Sequence, residues 1–142
     1  MAAHSKKLNF AKEQLEDAIL LFFEKRYISS IVLLGAAEEI LSTYLKREKG
    51  IDVLNDEWEL WNGLRSHLGN PHISKREVQR NKKLAYNSTK HHDIDEVDLT
   101  HIYRFGEAFM LLQRVINYAE ILKLKYNHRQ KYINWFKAEW GT

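Results

Sequence analysis

A chain of 142 residues, 44% of them hydrophobic, is long enough for one buried core and too apolar to stay disordered. It has no cysteine, which excludes disulfides, thiolate metal sites and a cysteine nucleophile, and which fits a reducing, cytoplasmic setting. The net charge of +3 is a matter of solubility and does not by itself argue for nucleic acid; DNA is not an expected partner.

With one proline, six glycines and almost no strand-like alternation, the chain reads as helices joined by short loops. The first helix is expected over 6–25, where Leu8, Ala11, Leu15, Ala18, Ile19 and Phe22 recur at three- and four-residue steps and make one apolar stripe. After a short break at "KRY", a second runs over 28–48 and stops at Gly50. Between Ile31 and Ala37 it is apolar on every side, which marks the most buried helix. The runs "AILLFF" and "IVLLGAA" are shorter than the roughly 18 residues of a membrane span, so no membrane contact is expected. The start, "MAAHSKKLNF", does not read as a signal peptide.

A third helix, 56–68, carries Trp58, Leu60, Trp61, Leu64 and Leu68, with both tryptophans expected in the core, and "GNPH" then turns the chain. Ser74 and Glu77, at capping-box spacing, open a fourth helix that reaches about Lys90. After an acidic stretch, "DIDEVD", the fifth and longest helix is expected over 99–126, with Ile102, Phe105, Phe109, Leu112, Val115, Ile116, Ala119 and Leu122 on one face. A short aromatic helix holding Tyr132, Ile133, Trp135, Phe136 and Trp140 ends the series, closing the core or a dimer interface. The predicted fold is all-α: one domain over 1–142, an antiparallel helical bundle of about five main helices plus the short C-terminal one.

The fourth helix departs from the pattern of the others. Its apolar stripe is thin, and Asn81, Asn87, Ser88 and Thr89 stand where core residues are expected. Lys83, Asn87 and His91 share one face at i, i+4 and i+8. Local rules that fail in one place fail most often at a functional site. Residues 75–92 hold six Lys and Arg against Glu77, with His91 and His92 at the end, and then the charge turns acidic. Simple helix electrostatics accounts for much of that switch, and a peripheral, solvated helix is the plain alternative.

A histidine titrates nearest neutrality, so it can take a proton from a ribose 2′-hydroxyl and return one to a leaving oxygen. A nearby lysine can stabilise charge on the phosphate, and Asn87 can orient a ring nitrogen. "NSTKH" therefore holds the parts for metal-independent RNA cleavage, and it is also an ordinary helix end.

"YNSTKHH" resembles the signature of HEPN domains (higher eukaryote and prokaryote nucleotide-binding domains), which in one bacterial branch is close to R-N-x-x-K-H; here the residues are Tyr86, Asn87, Ser88, Thr89, Lys90 and His91. "YISSIVLLGAAEEILSTYL", 27–45, is similar to that branch's second helix, where small residues precede paired glutamates. The resemblance runs from about Leu8 to Leu122 and implies an all-α bundle. It implies either an endoribonuclease, often a toxin paired with a nucleotidyltransferase-like antitoxin, or a non-catalytic module that binds RNA, nucleotides or proteins. It also implies a homodimer in which two motifs face one cleft. Carried over, His91 takes the catalytic position, Asn87 the polar one and Lys90 the lysine, while Glu38 or Glu39 takes the acidic position on the second helix.

Where the family's arginine stands, this chain has Tyr86, which lacks the bidentate phosphate fork. Arg80 is too distant in the chain, about 16 Å from His91 along a helix axis. Lys83 or Lys90 can replace it only as a point charge. That departure favours the non-catalytic reading, with Tyr86, Lys83, Glu38, Glu39 and His92 as the ligand-binding set. Glu38, among Ile31, Leu34 and Leu45, needs a partner if buried, and Lys90 or Tyr86 is a candidate; Glu39 is more easily solvated. Adjacent histidines rarely share one ion and no H-E-x-x-H helix exists, so no metal site is expected; no Gly-rich phosphate loop exists, and no cofactor is expected. His67 and His72 flank the Pro71 turn and read as surface residues.

Overall fold

The first stripe forms as its spacing dictates. In α1, Lys6–Phe23, the buried side chains are Leu8, Ala11, Leu15, Ala18, Ile19 and Phe22, the same six that the three- and four-residue steps select. The structure, a computed structural model, describes residues 6–82 and 104–141, and among the described residues there is no strand. The described residues form six helices in order: α1, α2 (Tyr27–Lys49), α3 (Val53–His67), α4 (Lys75–Lys82), α5 (Arg104–Ile121) and α6 (Arg129–Trp140). The fold is an all-α helical bundle with a short C-terminal helix.

Helix α2 is the centre. It packs on α1 and on α5, and it buries Ile31, Leu34, Ala37, Leu41 and Leu45 between them. Small residues bring it close to α1, and the buried Ser30 hydroxyl donates to the Ala18 carbonyl at 2.9 Å, so this polar atom enters the core satisfied. By length and composition α2 is apolar enough to cross a membrane, which the short apolar runs did not suggest. Half of its apolar stretch is buried inside the fold, as expected of a central core helix.

Left-handed residues end four of the helices. At Gly50 (φ 67°), the Ile51 N–H reaches back to the Leu45 carbonyl at 3.2 Å, and Gly69 (φ 74°) closes α3 in a similar turn. Lys25 (φ 63°) ends α1, with the Arg26 N–H on the Leu21 carbonyl at 2.8 Å. Lys123 (φ 57°) ends α5 in the same way, with the Leu124 N–H on the Ala119 carbonyl at 2.9 Å. The fifth helix therefore stops at Ile121 and does not run to 126 as its apolar periodicity suggests. The turn reverses the chain so that Leu124 and Tyr126 are buried, and that burial offsets the left-handed lysine. The Asn127 N–H donates to Glu16 at 2.8 Å, and α6 then lies over the α1–α5 end. There Trp135 meets Phe22 edge-on at 5.2 Å and Trp140 stacks on Phe109 at 4.8 Å, while Tyr132 hydrogen-bonds Gln113. The C-terminal helix closes the core.

The third helix differs most from expectation. It starts at Val53, three residues early, because Asp52 caps it: the Asn55 N–H donates to the Asp52 carboxylate at 3.0 Å. It joins α4 in a hairpin fastened through the turn. Asn62, buried, clasps the Ile73 backbone twice, at 2.8 and 3.0 Å, and Trp58 donates to the same carbonyl at 2.8 Å. Lys75 lies over the Trp58 ring at 5.1 Å. The Glu77 N–H donates to Ser74 at 3.1 Å, which is the serine half of the expected capping box. Trp58 is partly buried, but Trp61, expected in the core, is exposed, as are Leu60, Leu64 and Leu68. Among the described residues, α3 leans on the body through its first half, by Val53 and Glu57.

Candidate functional site

Of the residues proposed from sequence, Lys83, Tyr86, Asn87, Lys90, His91 and His92 lie outside the described residues. What the structure describes near that site is α4, which precedes it in the chain, and the two glutamates. On α4, Val78 is buried while Lys75, Arg76 and Arg80 are exposed, so this helix is peripheral and presents cations to solvent.

The paired glutamates point apart, as residues 100° apart on a helix must. Glu39 is exposed, and the Thr43 hydroxyl donates to its backbone carbonyl at 2.9 Å. With Lys7, Tyr44 and Arg47 it borders a shallow cleft of about 210 Å³ between α1 and α2. Glu38 faces inward and is 4% exposed. Its carboxylate accepts from the Arg114 guanidinium at 2.9 Å, a charge-assisted bond between α2 and α5. Glu57, on α3, stands 4.0 Å from the same guanidinium. Arg114 is the partner of Glu38 among the described residues; Lys90 and Tyr86, the candidates from sequence, lie outside them. The missed signal was available, since Arg114 interrupts the apolar run "FMLLQRVI" and a charge in such a stripe needs a buried counter-charge.

One turn beyond Arg114, Tyr118 completes the group. It is buried, and its hydroxyl has no hydrogen-bond partner among the described residues. Burial first, and then the nearby Glu38 and Glu57, push its phenol well above the ordinary range, so it stays neutral. Burial works against the charge on Arg114, but Glu38 and then Glu57 outweigh it and hold the guanidinium above its usual value. Three helices thus converge on one partly buried cation between two carboxylates. Such a group fixes helix positions and leaves Glu38 engaged with protein. Among the described residues no cluster of His, Asp and Glu has the makings of a metal site.

Compared with known proteins, the chain matches no family model, no curated protein sequence and no solved structure.

Proposed function

We propose that this chain is a cytoplasmic, HEPN-like binding or regulatory module, non-catalytic, whose fourth helix offers a polar surface to RNA or another phosphate-bearing ligand. The observation that carries the reading is Tyr86 at the motif's arginine position, which removes the bidentate phosphate contact and keeps Asn87, Lys90 and His91. Two structural facts support it. Glu38, the acidic residue of the second helix, is bonded to Arg114 and does not stand free to act on a substrate. Arg76 and Arg80 are exposed on α4, which precedes the motif in the chain.

The Lys90–His91 pair favours a second reading, a metal-independent endoribonuclease of toxin type with His91 as general base. The first is tested with fluorescent single-stranded RNA in EDTA. Wild type binds it in a salt-dependent way, the product stays intact, and Lys90→Glu with Lys83→Glu weakens binding about tenfold or more, two phosphate contacts' worth. Intact RNA with no binding at any salt concentration overturns the ligand assignment.

A further inference from the structure

We propose that the cleft between α5 and α6 binds a small aromatic monocarboxylate, with its ring between the two helices and its carboxylate held by Lys137 and Gln113. The cleft holds about 250 Å³. One face of each helix lines it. Gln113, Ile116 and Glu120 do so on α5, at steps of three and four, and Arg129, Tyr132, Ile133, Phe136 and Lys137 on α6. The volume lies just under the roughly 300–1,000 Å³ of sites for drug-sized molecules, so the occupant is small.

The walls suit a flat apolar body. Ile116 and Ile133 are only half-buried, so the fold leaves apolar surface at the cleft. The rings of Tyr132 and Phe136 stand 6.3 Å apart, tilted by 38°, and Phe136 is itself packed on Phe109 at 6.3 Å. A guest ring can meet such rings edge-on or offset, the arrangements that aromatic pairs favour.

One end is closed by an ion pair. The Arg129 guanidinium grips both oxygens of Glu120, at 2.7, 2.9 and 3.1 Å. Those bonds hold the Glu120 carboxyl below its ordinary value, so it stays charged and engaged. The chain enters α6 at His128, which is left-handed (φ 72°) and gives the helix no side-chain cap. A non-glycine residue in that region carries strain, and such strain gathers at ligand clamps. The Glu120–Arg129 bond spans this strained turn and ties the two walls together.

Charge selects the ligand. Glu120 and Arg129 cancel at their end. Burial pushes the Tyr126 and Tyr132 phenols well above their ordinary range, so neither adds a negative charge. Tyr132 donates to the Gln113 oxygen, which leaves the Gln113 amide nitrogen with N–H groups to offer. Lys137 is exposed, and its ammonium has no partner among the described residues. The groups left to bind a ligand are therefore donors, and one positive charge is left over. A carboxylate answers both. An amine would meet a like charge, and an alcohol would leave the ammonium uncompensated. The inference uses no residue of the fourth helix, so it stands or falls separately from the functional reading above.

Phenylacetate is the probe, with phenethyl alcohol as its uncharged counterpart, and isothermal titration calorimetry is the measurement. Wild type is expected to bind the acid with a Kd of about 0.1–1 mM, ordinary for so small a ligand, and the alcohol at least tenfold more weakly. Lys137→Gln should weaken the acid about tenfold, one charge-assisted hydrogen bond, and leave the alcohol unchanged. Ile133→Trp fills the cleft and should abolish binding with helical circular dichroism intact. In amide NMR of wild type, the Gln113 side-chain signal should shift saturably with the acid, which locates the site even if Ile133→Trp fails to fold. No binding of the acid at about 10 mM overturns the proposal. So does equal affinity for acid and alcohol, acid binding that Lys137→Gln leaves unmoved, or a saturable shift confined to residues away from α5 and α6.

Discussion

Arg114 and Tyr118 occupy adjacent turns of one helix face, and the physics predicts opposite behaviour for them. Removing the guanidinium leaves Glu38 buried without its strongest described contact. Arg114→Met is therefore expected to lower unfolding stability by about 2–3 kcal/mol, under the 3–5 kcal/mol of a fully enclosed pair because Arg114 keeps some solvent contact. In the double variant with Glu38→Gln the losses should add to less than their sum, the mark of a direct contact in a urea-melt cycle. Tyr118→Phe removes a hydroxyl that is buried without a partner among the described residues, so it should leave the urea midpoint unchanged or raise it; a loss above about 1 kcal/mol would mean the hydroxyl is satisfied. Asp52 behaves differently with pH. The Asn55 N–H, opposed by slight desolvation and helped by Lys46, holds its carboxyl below the ordinary value. A depressed folded pKa gives stability that is present above the unfolded pKa and lost as pH falls through the folded one. The gap in melting temperature between wild type and Asp52→Ala should thus be constant down to about pH 4 and close below it. At this scale the sequence was half legible. Glu38 and Arg114 each break a local rule as a single charge in an apolar stripe, but 76 residues separate them, and no local pattern pairs one with the other.

Helix interiors were far more readable than helix ends. All six buried positions of α1 follow from spacing alone, because burial on one helix face needs no knowledge of what covers it. The ends of α1 and α5 were misplaced because lysines, not glycines, take the left-handed turn there. These lysines carry a strain that glycine lacks. Lys123→Gly is therefore expected to stabilise the protein by about 0.5–1 kcal/mol, read as a higher thermal midpoint, while the same change inside α5 would cost about 1 kcal/mol. Gly63 offers the converse case. It lies inside α3 with nothing within 4 Å of an added Cβ, so Gly63→Ala should add about 0.5–1 kcal/mol through helix propensity. A midpoint that falls would mean that some neighbour approaches α3 at that point.

Taken as a whole, the molecule divides into a well-packed body and a hairpin fastened mainly to itself. The central helix α2 is buried by α1 and α5, whereas α3 buries only Asn62 fully, and that residue faces the turn. Amide hydrogen exchange should reflect this division. The α2 interior is expected to exchange only through global unfolding, and α3 through openings several kcal/mol cheaper. Equal protection in both would show that α3 is covered in solution. The all-α bundle was legible from periodicity because most helices bury the face their sequence makes apolar. The placing of Trp61 in the core failed because an apolar stripe announces that something covers it, and says nothing about whether the cover belongs to the same molecule.

The functional account turns on one side chain, Tyr86 in the place of an arginine. The decisive measurement is RNA cleavage in EDTA by wild type, Tyr86→Arg, and Tyr86→Arg combined with His91→Ala. The account predicts intact RNA with wild type, cleavage to 2′,3′-cyclic phosphate ends with Tyr86→Arg, and intact RNA again when His91 is removed. Cleavage by wild type that His91→Ala abolishes would contradict it and make the chain an endoribonuclease as it stands.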